Sequence, residues 1–192
     1  MGRKPNVSAG LIEETALKLF HEHGYDAVKV SDICAACGTT KPTFYHYVSS
    51  KDDLLISYYD DIIEHLTERL DAMTDEEDCW HQLSSCFEVL VDESSRIGSD
   101  LLGRILVINL QDDQHSFDRR SHITDSMVST IRRGQENGQF LNSSDPVQLY
   151  EAAAYLFQGY EMLWCIRKGG MDWRAKLLDS LRALLCVAWG RI

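Results

Sequence analysis

The stretch "VKVSDICAACGTTKPTFYHY", residues 28–47, constrains the fold more than any other part of the chain. Val30, Ile33, Cys34 and Cys37 recur at i, i+3, i+4 and i+7, the single apolar stripe of an amphipathic helix. Gly38 then suits the left-handed conformation that ends a helix and reverses the chain. Two residues on, Thr40 is placed to cap a following helix, in whose first turn Pro42 is tolerated. A short helix, a tight glycine turn and a second short helix are thus written into twenty residues.

The helical period continues almost everywhere, and no alternating strand with turn signals on both sides interrupts it. An all-α protein is expected, with about nine helices near 8–23, 31–37, 41–47, 51–73, 76–95, 99–112, 118–137, 146–168 and 172–190. Only three prolines occur, and glycines at 24, 38, 138, 169 and 170 fall where helices should end. Thr74 with Glu77 reads as a capping box, and Asp145-Pro146 with Gln148 as a second helix start. The architecture predicted is a three-helix head, residues 1–50, followed by a larger helical domain, residues 51–192.

Charge separates the same two parts. The chain of 192 residues carries a formal net charge of -11, but residues 1–51 hold six Lys/Arg against five Asp/Glu, leaving the acidic excess to the remainder. An acidic surface of that kind aids solubility, or alternatively lines a pocket for a cationic ligand. The longest apolar run, Ala183–Trp189, is far short of the roughly 20 residues a membrane span needs. The N-terminus acquires acidic residues before any apolar core of a secretory signal develops, so a cytoplasmic protein with reduced thiols at its six cysteines and no membrane partner is expected.

Two short helices around a glycine turn form the helix-turn-helix pattern, in which the second helix enters the DNA major groove. Leu11, Ile12, Ala16, Leu17, Leu19 and Phe20 supply an apolar stripe for the first helix to hold this unit, and Phe44 anchors the third. The other face of the third helix offers Lys41, Thr43, Tyr45, His46 and Tyr47, all able to donate hydrogen bonds to phosphates or base edges. The C-x-x-C of Cys34 and Cys37 admits other chemistry. A thiol oxidoreductase wants its thiol at a helix N-terminus, whereas this pair lies inside and at the end of a helix. A zinc site would recruit His21, His23 or His46, but His21 and His23 point to different faces of one helix. A redox-responsive regulator switching through Cys34 and Cys37 is an alternative to simple packing. No catalytic constellation, metal set or cofactor motif is read, and an enzyme is not expected.

The run "ALKLFHEHGYDAVKVSDICAACGTTKPTFYHYVSSKDDLL" resembles the N-terminal DNA-binding signature of the TetR (tetracycline-repressor) family of bacterial transcriptional regulators. That resemblance implies a homodimer that binds a pseudo-palindromic double-stranded DNA operator, usually as a repressor, and releases it when a small-molecule effector occupies the C-terminal domain. It places Lys41, Thr43, Tyr45 and His46 at recognition positions, and Thr40, Tyr47 and Lys51 at positions that commonly touch phosphate. Lys29 stands where relatives often have a capping Ser or Thr, so a cap is lost while a phosphate contact is gained. Val48 and Thr39 also depart from the common Phe and Val. Arg3 and Lys4 form either a minor-groove arm or a solvated tail. A module that binds only protein is the remaining alternative.

In the second domain, the resemblance implies that the last two helices form the dimer interface, through Leu149, Leu156, Leu163, Trp173, Leu177, Leu181, Leu184 and Ala188. Periodicity alone equally permits these residues to close the monomer's core. Aromatic residues interrupted by polar ones suggest an effector site drawn from Trp80, Phe87, Asn109, His115, Phe117, Tyr155, Glu161 and Trp164.

Overall fold

A computed structural model describes residues 8–71, 78–117 and 121–188, without the side chains of 65–71 and 121–122. Among the described residues there are nine helices: α1 (Ala9–His23), α2 (Val30–Ala36), α3 (Lys41–Tyr47), α4 (Lys51–Asp71), α5 (Cys79–Ile97), α6 (Ser99–Gln111), α7 (Ser121–Glu136), α8 (Pro146–Ile166) and α9 (Arg174–Leu185). The protein is all-α, with one isolated antiparallel bridge, Phe140 to Val187, outside the helices.

Side-chain caps set most of the starts. Leu11 N donates to Ser8 Oγ at 3.3 Å, and Asp145 Oδ1 accepts from Val147 N at 2.8 Å and Gln148 N at 3.2 Å. Asp78 caps α5 by accepting from Trp80 N and His81 N, both at 3.0 Å. The expected Thr74–Glu77 box lies outside the described residues, as do Arg3 and Lys4. At α2, Lys29 offers no side-chain acceptor, yet half of a capping box survives because its backbone N–H donates to Asp32 Oδ2 at 2.8 Å.

The last helix is shorter than the apolar run suggests. Expected to reach residue 190, α9 stops at Leu185 because Cys186 takes the left-handed φ of 50° and ψ of 54°. The chain then pairs with residues 139–142: Leu141 N donates to Cys186 O at 3.2 Å and Ala188 N to Gln139 O at 2.9 Å. Asn142 Nδ2 adds a bond to Leu184 O at 2.8 Å. This return requires Gly134 on α7, where a Cβ would stand 2.3 Å from the Phe140 ring.

The chain divides into two compact units, residues 1–62 with 100–116, and residues 63–99 with 117–192. In the first unit, Ile12, Ala16, Phe20, Ile33, Phe44 and Leu55 form the core around α1–α3 and the start of α4, while α6 buries Leu101, Leu102, Ile105 and Ile108. In the second, α7 packs on α5 and α8, and α9 on α8 and α5, over Leu83, Phe87, Ile131, Leu149, Ala153, Leu177, Leu181 and Leu185. Each such fully buried large side chain stabilises its unit by roughly 1.5–3 kcal/mol relative to exposure.

Candidate nucleic-acid interface

The turn between α2 and α3 is closed by backbone bonds, Cys37 N to Ile33 O and Thr39 N to Cys34 O, both at 2.9 Å, with Gly38 at φ 63°. Thr40 Oγ1 accepts from Thr43 N at 3.4 Å and lies 3.0 Å from Thr43 Oγ1, so both hydroxyls serve the start of α3. Phe44 is completely buried and fixes the helix's rotation. That rotation turns Lys41, Tyr45, His46 and Tyr47 outward, Tyr45 being 53% exposed, while Thr43 is half-buried. Edge-on ring pairs, Phe44–Tyr45 at 5.3 Å and His46–Tyr47 at 5.1 Å, hold the aromatic side chains in place. A rigid, solvent-facing row of a cation, phenols and an imidazole is thereby presented on one short helix.

Both cysteines of the C-x-x-C are buried behind this helix. Burial first, and Cys37 second, raise the Cys34 pKa, which keeps the thiol protonated and disfavours thiolate chemistry. Among the described residues no three His, Cys, Asp or Glu side chains gather into a metal-holding group.

Lys29 is exposed, whereas Lys51 is committed to the head's own backbone. Its ammonium donates to Tyr25 O at 2.7 Å and Val28 O at 2.9 Å, and lies 3.8 Å from the Tyr25 ring centre. Burial lowers its pKa. In this structure it ties the α1–α2 connection to α4 rather than facing outward.

A cluster that sequence reading missed surrounds it. The Tyr25 hydroxyl donates to Asp52, and Arg104 Nη2, from α6, reaches both carboxylate oxygens of Asp52 at 3.2 and 3.1 Å. Asp100, one turn earlier on α6, accepts from Tyr25 N at 3.4 Å. Burial lowers the Arg104 pKa, but Asp52 and Tyr25 more than offset it, and the net shift is upward. The partners are up to 75 residues apart in sequence, so no local pattern reveals them.

The candidate effector residues fall into both units. Asn109 is a structural cap of the segment after α6, its Nδ2 donating to Ile105 O at 3.0 Å and Ser116 Oγ at 3.1 Å, and His115 is an exposed residue at φ 58° in that segment. In the second unit Arg182 lies over the Trp80 ring at 4.9 Å, and Phe117 O accepts from Gln158 Nε2 at 3.5 Å. Phe87, Glu161 and Trp164 are buried, and the rings of Phe87, Phe157, Trp173 and Trp164 follow one another at 6.2, 5.4 and 6.3 Å. Glu161 pairs with Ser94, and burial pushes its pKa up to about 7.

The dimer candidates separate by burial. Leu149, Trp173, Leu177 and Leu181 are inside the unit's own core, Leu156, Leu184 and Ala188 are half-buried, and only Leu163 is exposed. On α8 the exposed apolar face is instead Tyr155, Met162, Leu163 and Ile166. Tyr155, 68% exposed, therefore belongs to this outer face and not to the buried ring cluster.

A helix-turn-helix whose second helix is locked by one buried aromatic residue and displays a donor-rich face defines the class of helix-turn-helix transcriptional regulators. Residues 12–58 match the family model described as bacterial regulatory proteins, tetR family. Two curated relatives match part of the chain. The uncharacterized HTH-type transcriptional regulator YuxN of Bacillus subtilis is 48% identical over 54 residues, 26% of this chain and 19% of the relative. YvdT, likewise described and from the same organism, is 30% identical over 94 residues, 47% of this chain and 46% of the relative. The aligned region thus spans less than half the length of either. The full fold is shared with the Thermus thermophilus FadR, a TetR-family transcriptional repressor solved in complex with lauroyl-CoA: TM-score 0.70, 21% identity, covering 96% of this chain and 97% of that one. Among the described residues no helix is long and apolar enough to cross a membrane.

Proposed function

We propose that the protein is a repressor that binds a pseudo-palindromic operator as a homodimer and releases it when a small molecule enters the helical domain. The observation that carries this reading is the outward face of α3, with Lys41, Tyr45 and His46 exposed around a fully buried Phe44. Lysine pairs with guanine O6 and N7, and the tyrosine and Thr40 hydroxyl groups and the His46 ring N–H reach phosphates or base edges. Lys29 adds an exposed cation beside the turn. Residues 1–50 act as the DNA-binding head and 51–192 as the effector-binding and dimerising domain.

The homodimer forms through α8 and α9, with Tyr155, Met162, Leu163 and Ile166 as its apolar contact, since the buried leucines are already spent on the monomer's core. Two heads must then meet half-sites about 34–36 Å apart. The effector acts from the second unit, and its arrival alters the separation of the heads by favouring one of two arrangements. FadR, with its lauroyl-CoA, supports a ligand-binding role for this fold.

An electrophoretic shift with DNA from upstream of the protein's own gene tests the reading. A specific complex is expected, with log affinity falling against log salt at a slope of roughly -5 to -7 for three to four phosphates per subunit. A flat salt response, or no preference over unrelated DNA, overturns it.

A further inference from the structure

The buried side chain of Glu161 shares a face of α8 with two aromatic residues. Phe157 lies one turn before it on α8 and Trp164 one turn after, so the three side chains share a helix face. Trp173, at the start of α9, bridges the flanking rings, its centroid 5.4 Å from Phe157 and 6.3 Å from Trp164. From α5, Ser94 Oγ stands 2.5 Å from Glu161 Oε1.

That serine has two acceptors within reach. Ser94 Oγ also stands 3.0 Å from Leu90 O, which can only accept. The Ser94 hydroxyl is therefore shared between the Leu90 carbonyl and Glu161 Oε1, while burial raises the Glu161 pKa to about 7. No Lys or Arg acts on its carboxyl among the described residues. The titratable neighbours are Cys165, one turn on along α8, whose thiol burial pushes up to about 12, and Glu93 beside Ser94, which pairs with Arg96 at 3.3 Å. A buried acid beside a chain of aromatic rings combines two features that favour a cation: ring faces attract cations, and a desolvated carboxylate needs one.

We infer that Glu161, with Phe157, Trp164 and Trp173, is the recognition point for an effector bearing a quaternary or protonated nitrogen on an apolar frame. The exchange balances in charge. The cation arrives, the Glu161 proton leaves to solvent, and a carboxylate–cation pair replaces the neutral acid. An anionic ligand meets a developing negative charge instead. The inference rests on the effector-binding role of the second unit proposed above.

The test uses phenyltrimethylammonium, its neutral isostere tert-butylbenzene and the anion benzenesulfonate, each titrated into the full chain and followed by tryptophan fluorescence. Saturable quenching by the cation is expected at concentrations at least about tenfold below those needed for either of the others, and Glu161→Gln should weaken the cation at least about tenfold. In weakly buffered solution at pH 6.5, cation binding to the unaltered protein should release a measurable fraction of a proton per chain, since burial raises the Glu161 pKa. That readout needs no variant and so survives a Glu161→Gln chain that fails to fold. Equal affinity for cation and isostere, no proton release, or no binding of the cation overturns the inference. Operator binding by the same preparation, measured alongside, separates such a failure from failure of the regulator reading.

Discussion

Two carboxyl groups, one in each unit, are handled in opposite ways. Asp52 in the head accepts from the Tyr25 hydroxyl and from Arg104, and it remains partly open to solvent. Glu161 in the second unit is almost wholly buried, and among the described residues its carboxyl meets the Ser94 hydroxyl. The head therefore uses its charge to hold geometry, since a compensated pair adds directional bonds without a large desolvation penalty. The second unit holds an acid that no cation compensates among the described residues, which is a property suited to response.

The largest effect that would sharpen this contrast is loss of the head's geometry. Phe44→Ala removes a fully buried ring and should destabilise the head by about 3–5 kcal/mol, with operator binding lost while the α5, α7–α9 unit keeps its helicity. Circular dichroism melts together with gel shifts would show it, and unimpaired operator binding would break the claim that Phe44 sets α3.

Next comes the pH response. The folded pKa of Glu161 is raised from 4.5 to about 7, so the folded state holds the proton more tightly than the unfolded chain. Its contribution is fully present below about pH 4.5 and is lost as pH rises to about 7, a change on the order of 3 kcal/mol. Urea unfolding at pH 5 and pH 7.5 should show that component in the unaltered protein and its absence in Glu161→Gln. An identical pH profile for the two would contradict the assignment.

A smaller effect is expected at the compensated pair. Asp52→Asn and Arg104→Ala should each cost about 1 kcal/mol, discounted for their partial exposure, and a double-mutant cycle should return a coupling of about the same size. Zero coupling would reduce the cluster to incidental proximity. Smallest of all, Cys34→Ala with Cys37→Ala should leave operator affinity unchanged in both reducing and oxidising buffer. An oxidation-dependent loss present only with the cysteines intact would restore the redox reading.

Much of this molecule was legible in its residues because its signals are local. The stripe Val30, Ile33, Cys34, Cys37 and the Gly38–Thr40 turn gave α2 and α3 to within a residue, and Asp145-Pro146 placed the start of α8. Cysteine packing behind α3 was likewise readable from the helical period. Where a distant partner sets a boundary the local reading overran it: α9 ends early because residues 185–188 pair with 139–142.

The sequence by itself determined the helices, the turn and the donor-bearing face of α3, since period, caps and glycines act over a few residues. Only the tertiary structure decided that Lys51 turns inward, that Arg104 grips Asp52, that Leu149, Leu177 and Leu181 belong to the core, and that Tyr155 and Ile166 face out. The physical reason is the same in each case. A helical period names the apolar face of a helix, but which neighbour covers that face, and which distant charge meets a given carboxyl, depends on how helices far apart in the chain are brought together.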